Sequence, residues 1–313
     1  MEKLFIDKKE LFDLLYKTMA KASTVIPADV KEALESCLKR EEEESLSNMH
    51  LKTSLINLKM SEENDLFACP DTGYPLYFIR IGDNIELEGG FSNIEKLSQE
   101  AVAMVTADNK LRKTMVHPLT RYNPGTNVLQ FLPKVEIKFD SEIDFLEITA
   151  VPKGGGSEIF GTFYRMLIPI DGITGIKKFI FDSAFHAMQT GKTCPPNIIG
   201  VCIGGTADLC MKLAKEACII RPIGDRHPDK EIARMEDELL QDINSIGLGS
   251  MGFGGNCSVL DVHIEYAASH TAGLPVGFNV QCSISRRATA RLSSNKKVEW
   301  RDSPDWFGRK NSE

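Results

Sequence analysis

Cys69 and Asp71 stand two residues apart in Ala68-Cys69-Pro70-Asp71-Thr72-Gly73, just ahead of an apolar run. A thiolate is a soft metal ligand and a carboxylic acid is a proton donor, so one short corner holds parts for metal-assisted acid chemistry. Pro70 fixes φ and removes a backbone donor, and Gly73 permits a sharp turn, which keeps the two side chains close. The same residues also suit a plain turn, with a buried cysteine and an aspartate capping its own loop. A second cysteine–proline pair, Cys194-Pro195, is followed by Pro196 and Asn197 at the entrance to another apolar run. Iron–sulfur ligands are sometimes followed by proline, and so are cysteines in ordinary turns.

Other segments offer anion binding or metal ligation. Lys153-Gly154-Gly155-Gly156-Ser157-Glu158 lines up bare N–H groups that can approach a phosphate or a carboxylate. No G-K-[ST] follows, which argues against a nucleotide loop, and a loop needing positive φ is the plain alternative. Gly247 to Gly252 spells G-x-G-x-x-G, but a helical pattern precedes it and a strand follows, the wrong context for a dinucleotide. A flexible active-site loop suits it better. Asp261, His263 and Glu265 alternate along one strand face, as metal ligands or as a hydrogen-bonded polar face. His270 lies in the loop before the last strand, where functional histidines are common. Cys37, Cys202, Cys210 and Cys218 fall on apolar positions of helices or strands and read as packing residues.

The elements that must position these residues are mixed. Leu11, Leu14 and Leu15, then Val30, Leu34 and Leu38 after Pro27, have helical spacing, so the first sixty or so residues read as helices. The run Glu41–Glu44 fits a solvated helix face. Strands are expected at 76–82, 134–139, 145–151, 197–204, 259–266 and 276–282, and helices at 94–105, from Asp171, from Thr206 and after Pro228. Without a strict βαβ rhythm, the fold class is mixed α/β (α+β), with mixed sheets flanked by helices. The expected divisions are a helical N-terminal segment 1–65, an α/β catalytic domain 66–290 and a loose C-terminal tail 291–313.

Composition narrows the function classes. With 37 Lys plus Arg against 44 Asp plus Glu, the formal charge of −7 lacks the footprint of a nucleic-acid binder. It still permits a pocket arginine to hold a small anion. No stretch of about 18 apolar residues marks a membrane span, and the N-terminus has no signal-peptide pattern, so a cytoplasmic location is expected. In that compartment the eight cysteines should stay reduced, and none forms a C-x-x-C pair.

Taken together, A-C-P-D-T-G at 68–73, L-R-K at 111–113, N-P-G-T-N at 123–127, K-G-G-G-S at 153–157, C-P-P at 194–196 and S-H-T-A-G-L-P-V-G at 269–277, with Q-C at 281–282, occur in one order. This order closely resembles the iron–sulfur hydro-lyases of the class I fumarase and L-tartrate dehydratase family, in particular their α subunit or N-terminal half. The resemblance runs from about residue 10 to about residue 290. It implies a [4Fe-4S] cluster held by Cys69, Cys194 and Cys282, with one iron open to act as a Lewis acid. It also implies Asp71 as catalytic acid, His270 as the histidine working beside it, Arg112 as a substrate-carboxylate clamp and Gly156 as a backbone contact to substrate.

The implied reaction is reversible hydration of a small dicarboxylate, fumarate to malate. L-Tartrate dehydration, action on a methylated analogue, or a non-catalytic cluster- or dicarboxylate-binding paralogue are the alternatives. In the resembled family the base and further cationic clamps come from a β unit, so a separate β subunit and an α2β2 assembly are expected. Family members commonly carry Gln where this chain has Pro70, which bears on the choice of dicarboxylate.

Overall fold

A computed structural model describes residues 3–308, so residues 309–313 of the expected tail lie outside the described residues. In chain order the elements are β1 (Leu4–Ile6), α1 (Lys8–Thr24), α2 (Ala28–Arg40), α3 (Leu46–Glu63), β2 (Tyr74–Gly82), β3 (Ile85–Leu87), α4 (Asn93–Ala107), β4 (Lys134–Asp140) and β5 (Leu146–Lys153). There follow α5 (Gly155–Phe160), β6 (Thr162–Leu167), α6 (Gly172–Met188), β7 (Asn197–Gly204), α7 (Ala207–Ile220), α8 (Lys230–Asn244), β8 (Val259–Ala267), β9 (Leu274–Gln281), β10 (Ala288–Leu292) and β11 (Val298–Arg301). The fold is mixed α/β, as the sequence indicates. The chain divides into two compact units, one of residues 3–27, 58–153 and 286–308, the other of residues 28–57 and 154–285.

The first unit is built on a five-stranded sheet in the order β11-β10-β5-β2-β4, in which only β2 and β4 run parallel. One face is apolar: Tyr77, Ile79, Ile81, Ile148, Ala150, Ala288 and Ala290 pack with Leu11, Leu15 and Met19 of α1 and Ala101, Val102 and Val105 of α4. A capping box between Asp7 and Glu10 starts α1. The other face carries buried charge in compensated form. Arg80 pairs with Asp140 at 2.8 Å, and Glu147 accepts from Arg291 at 2.7 Å. Residues 292–308 are ordered parts of this unit: β11 pairs with β10, and buried Trp306 meets Phe78 edge to face.

The second unit holds a four-stranded sheet in the order β6-β9-β7-β8. Ile176, Ile180 and Ala184 of α6 and Leu239 and Ile243 of α8 share one core with Ile199, Val201, Val262 and Phe278 of the strands. Helix α7 lies very close to strands β7 and β9: a Cβ on Gly200 would sit 2.1 Å from the Ala214 carbonyl oxygen. Glycine is what permits that approach. Cys202, Cys210 and Cys218 are buried packing residues, as expected. Two expectations need correction. Helix α2 ends at Arg40, and Glu41 is buried because its carboxylate accepts from the N–H groups of Asn256 and Cys257 at 3.0 and 2.9 Å. Cys37 is not a free thiol: it is disulfide-bonded to Cys257, with the Cα atoms 5.7 Å apart.

Candidate active site

In the first unit, Cys69 to Gly73 form the approach to β2. Cys69 and Asp71 are half-buried, Thr72 and Gly73 are buried, and Gly73 has φ 69°, the left-handed turn its residue type allows. The corner is held carbonyl by carbonyl. Arg112 Nη1 donates to Pro70 O at 3.0 Å, Arg286 Nη2 to Asp71 O at 2.7 Å, and Thr114 Oγ1 to Gly73 O at 3.4 Å. The backbone N–H of Arg112 also donates to Thr72 Oγ1 at 2.6 Å. Arg112 is exposed, so its remaining guanidinium donors stay accessible to an anion.

Asn127, from the N-P-G-T-N motif, explains why the Arg112 segment runs where it does. It is fully buried at φ 59°, its Oδ1 accepts from the N–H groups of Thr114 and Met115 at 2.8 and 3.1 Å, and its Nδ2 donates to Arg112 O at 2.7 Å. A buried amide satisfied on both ends fixes a loop as a short strand partner would.

In the second unit, Cys194 and Cys282 are tied through their backbones. The Ser283 N–H donates to Cys194 O at 3.0 Å, and the Cys194 N–H donates to Gly191 O at 2.9 Å. Buried Asn197 clamps the same two segments, its Nδ2 donating to Thr193 O at 2.9 Å and Gln281 O at 3.2 Å. Cys194 has φ 56°, a left-handed conformation uncommon for a residue with a Cβ, and it is half-buried; Cys282 is 7% exposed. Neither is in a disulfide, nor is Cys69.

The Gly247 to Gly255 segment is a buttress, not a flexible loop. Its Met251 N–H donates to Pro195 O at 3.0 Å, and Ser250 Oγ lies 3.3 Å from the same oxygen. His50 Nδ1 is 2.7 Å from Ser250 Oγ, and burial holds the His50 imidazole below its ordinary pKa. Ser47 Oγ donates to Gly254 O at 2.6 Å.

Gly156 is half-buried in the first turn of α5, and the glycines of 154–156 are not among those with positive φ. Absence of side chains, not an unusual φ, is what they contribute. Ser157 Oγ turns back to donate to Gly154 O at 2.9 Å. His270 is exposed between β8 and β9, where its Nδ1 accepts from the Ala272 N–H at 3.2 Å. With Nδ1 accepting, Nε2 is the ring nitrogen placed to donate.

Asp261 and Glu265 form a hydrogen-bonded polar face, and fully buried His263 lies on the same strand with its Nε2 3.7 Å from Asp261 Oδ2. Asp261 accepts from Arg226 at 2.9 Å and the Gly224 N–H at 2.6 Å, and Glu265 pairs with Arg221 at 3.2 Å. Arg221 also pairs with fully buried Glu236 at 2.7 Å. Burial pushes the Asp261 carboxyl up, and the Gly224 N–H and Arg226 oppose it. The segment 221–228 thus supplies counter-charge to β8. Both carboxylates of the trio are engaged by arginines, which supports the polar-face reading.

Of the expected site residues, Cys69, Asp71 and Arg112 belong to the first unit, and Gly156, Cys194, His270 and Cys282 to the second. The structure brings Arg112 to the Cys69–Asp71 corner and Cys194 to the Cys282 segment. Sequence reading passed over Arg286, Asn127 and Asn197. Asn127 and Asn197 each stood at the end of a motif singled out for other residues, with no role assigned to them, and Arg286 carried no local signal.

The sequence profile of the fumarate hydratase (Fumerase) family matches residues 13–291. The chain is 45% identical over 290 residues to the "Putative L(+)-tartrate dehydratase subunit alpha" of Methanocaldococcus jannaschii, covering 92% of this chain and 100% of that one. It is 32% identical over 290 residues to the "L(+)-tartrate dehydratase subunit alpha" of Escherichia coli (strain K12), covering 93% of each. It is 30% identical over 302 residues to the "Putative fumarate hydratase class I" of Geobacillus stearothermophilus, covering 93% of this chain and 57% of that longer one. The chain therefore belongs to the fumarate hydratase family, the class I fumarase and L-tartrate dehydratase group of hydro-lyases.

Proposed function

We propose that this chain is the α subunit of an iron–sulfur hydro-lyase that interconverts fumarate and malate together with a separate β subunit. Cys69, Cys194 and Cys282 would hold a [4Fe-4S] cluster; three thiols outside any disulfide are the donor chemistry such a cluster takes. When bound, the cluster supplies an open iron whose Lewis acidity eases departure of the substrate hydroxyl.

This chain's own residues do the rest of one half of the reaction. The Asp71 carboxylic acid gives its proton to the departing hydroxyl oxygen, so that the C–O bond breaks with water as the product. Arg112 clamps a substrate carboxylate through donors not used on Pro70 O. The Gly156 backbone accommodates the substrate closely because no side chain stands there, and His270 assists beside Asp71. The proton on the adjacent carbon leaves to a base on the β subunit, and its electron pair forms the C=C bond.

The observation that carries the proposal is the Cys69-Pro70-Asp71 corner, a thiol and an acid in one turn with the guanidinium of Arg112 bound to its backbone. A second reading, L-tartrate dehydration to oxaloacetate, draws support from the relatives of matching length, which are named as L(+)-tartrate dehydratase α subunits. We place the enzyme in the cytoplasm as an α2β2 assembly. In that reducing compartment the Cys37–Cys257 bond is open to reduction.

The test is anaerobic co-purification with the β subunit, with iron, sulfide, mass and turnover measured on fumarate, malate and L-tartrate. About four iron and four sulfide per α chain, lost on Cys69→Ser, Cys194→Ser or Cys282→Ser, are expected. Full turnover by this chain without a partner, or by complexes of all three variants, would reject the proposal.

A further inference from the structure

Three largely enclosed arginines of this protein meet carboxylates at ion-pair distance. Arg80 pairs with Asp140, Arg291 with Glu147, and Arg221 with Glu236 and Glu265. Arg286 is 1% exposed, yet among the described residues no carboxylate lies within ion-pair distance of it. Its one hydrogen bond is Nη2 to Asp71 O at 2.7 Å, and its buried Nε has no acceptor among the described residues. A guanidinium cannot shed its charge at physiological pH, and a buried charge with no counter-ion is strongly unfavourable. A neutral carbonyl satisfies one N–H but not the charge.

We propose that Arg286 is a positioning residue for the acid corner and the fixed positive charge against which the anionic centre of the site is bound. The inference rests on the proposed hydro-lyase reading. In that reading two anions come to this corner: the thiolate-ligated cluster and the carboxylates of the substrate. Either one supplies the missing counter-charge. At the same time the grip on Asp71 O fixes the backbone of the acid from the side opposite in sequence to Arg112, which grips Pro70 O. Arg112 is exposed and free to follow substrate, whereas Arg286 is enclosed and cannot, so the two arginines have different duties.

The experiment compares wild type, Arg286→Lys and Arg286→Gln in the αβ complex. Lysine keeps the charge and glutamine keeps a donor without it. Iron content, the electron paramagnetic resonance signal of the reduced cluster, KM and kcat, and succinate affinity by calorimetry are measured on all three. The glutamine variant is expected to lose iron and signal, or to keep both while KM and the succinate dissociation constant rise roughly 30- to 1,000-fold. Lysine should stay nearer wild type. Iron loss identifies the cluster as the partner anion, and weaker succinate binding identifies the substrate. Glutamine matching wild type in every readout overturns the inference, and so does equal loss in both variants accompanied by an equal fall in melting temperature. Wild type without iron or turnover would sink the hydro-lyase reading itself. In that case succinate affinity still decides for Arg286: weaker on glutamine alone upholds it, and equal in all three overturns it.

Discussion

The backbone N–H of Ser283 donates to the carbonyl oxygen of Cys194 at 3.0 Å, so two thiol-bearing segments 88 positions apart in sequence (282 − 194) share one backbone contact. Asn197 repeats the connection with its side chain, one amide joining Thr193 O and Gln281 O. Neither bond involves a sulfur atom. Spacing of the thiols is therefore set by the protein before any ligand arrives.

Asn197→Ala should show this directly. It leaves buried carbonyls without a donor and is expected to cost about 2–3 kcal/mol of stability. Iron retention by the complex should fall in parallel. Denaturant unfolding and iron analysis check both, and a variant that loses stability but keeps all its iron would show the clamp to be irrelevant to the thiols.

Asp71→Asn keeps the size of the side chain and the Arg286 bond, which uses only the backbone carbonyl. The expected outcome is a fall in kcat of about 100- to 10,000-fold with iron content unchanged. Steady-state kinetics beside iron analysis separates this from simple loss of the metal centre.

Arg112→Lys removes the forked donor set while keeping the charge. KM for the dicarboxylate should rise about tenfold or more, because a lysine cannot bind Pro70 O and a carboxylate with one planar group. A change confined to kcat would place Arg112 elsewhere in the mechanism.

The Cys37–Cys257 bond closes a loop across 220 residues. Its removal in Cys37→Ser/Cys257→Ser should lower stability by about 2–4 kcal/mol. Thiol reductant should shift wild type toward the double variant and leave the variant unchanged in the same melting experiment.

His50 gives a pH dependence whose sign can be worked out. Burial lowers its pKa from the ordinary 6.5, so below pH 6.5 the unfolded chain binds a proton that the folded chain refuses. Stability should therefore decline as pH falls from 6.5 toward the lower folded value, with no contribution above that window. His50→Gln should flatten this part of the stability curve, read by unfolding at a series of pH values.

How far the sequence could be read depended on the signal each element carried. Strand β7 is an unbroken apolar run enclosed on both faces, and its expected bounds, 197–204, match the structure. Strand β6 was missed because it is an edge strand with Tyr164 and Met166 exposed, so its pattern does not alternate clearly. Strand β10 was not expected, and it straddles the expected boundary at 290/291: it has five residues, and the small Ala288 and Ala290 that face the core give almost no hydrophobic signal. Glu41 looked like one of four solvated acids, and only the N–H groups of Asn256 and Cys257, more than 200 residues on, draw it inside. The local motifs were visible as motifs. What binds Asp71 O or joins Cys194 to Cys282 depends on long-range folding that spacing alone does not encode.

The order of synthesis follows from the way the two units divide the chain. Residues 28–57 and 154–285 are all made before residue 286, so the second unit can close while the first still lacks β10 and β11. Until then β5 is paired only with β2, and its other edge has no neighbour. An open strand edge on a growing chain invites pairing with other chains, and a slow, long-range closure lengthens the exposure. The unit that contains the chain's first strand cannot complete its five-stranded sheet until β10 and β11 are made.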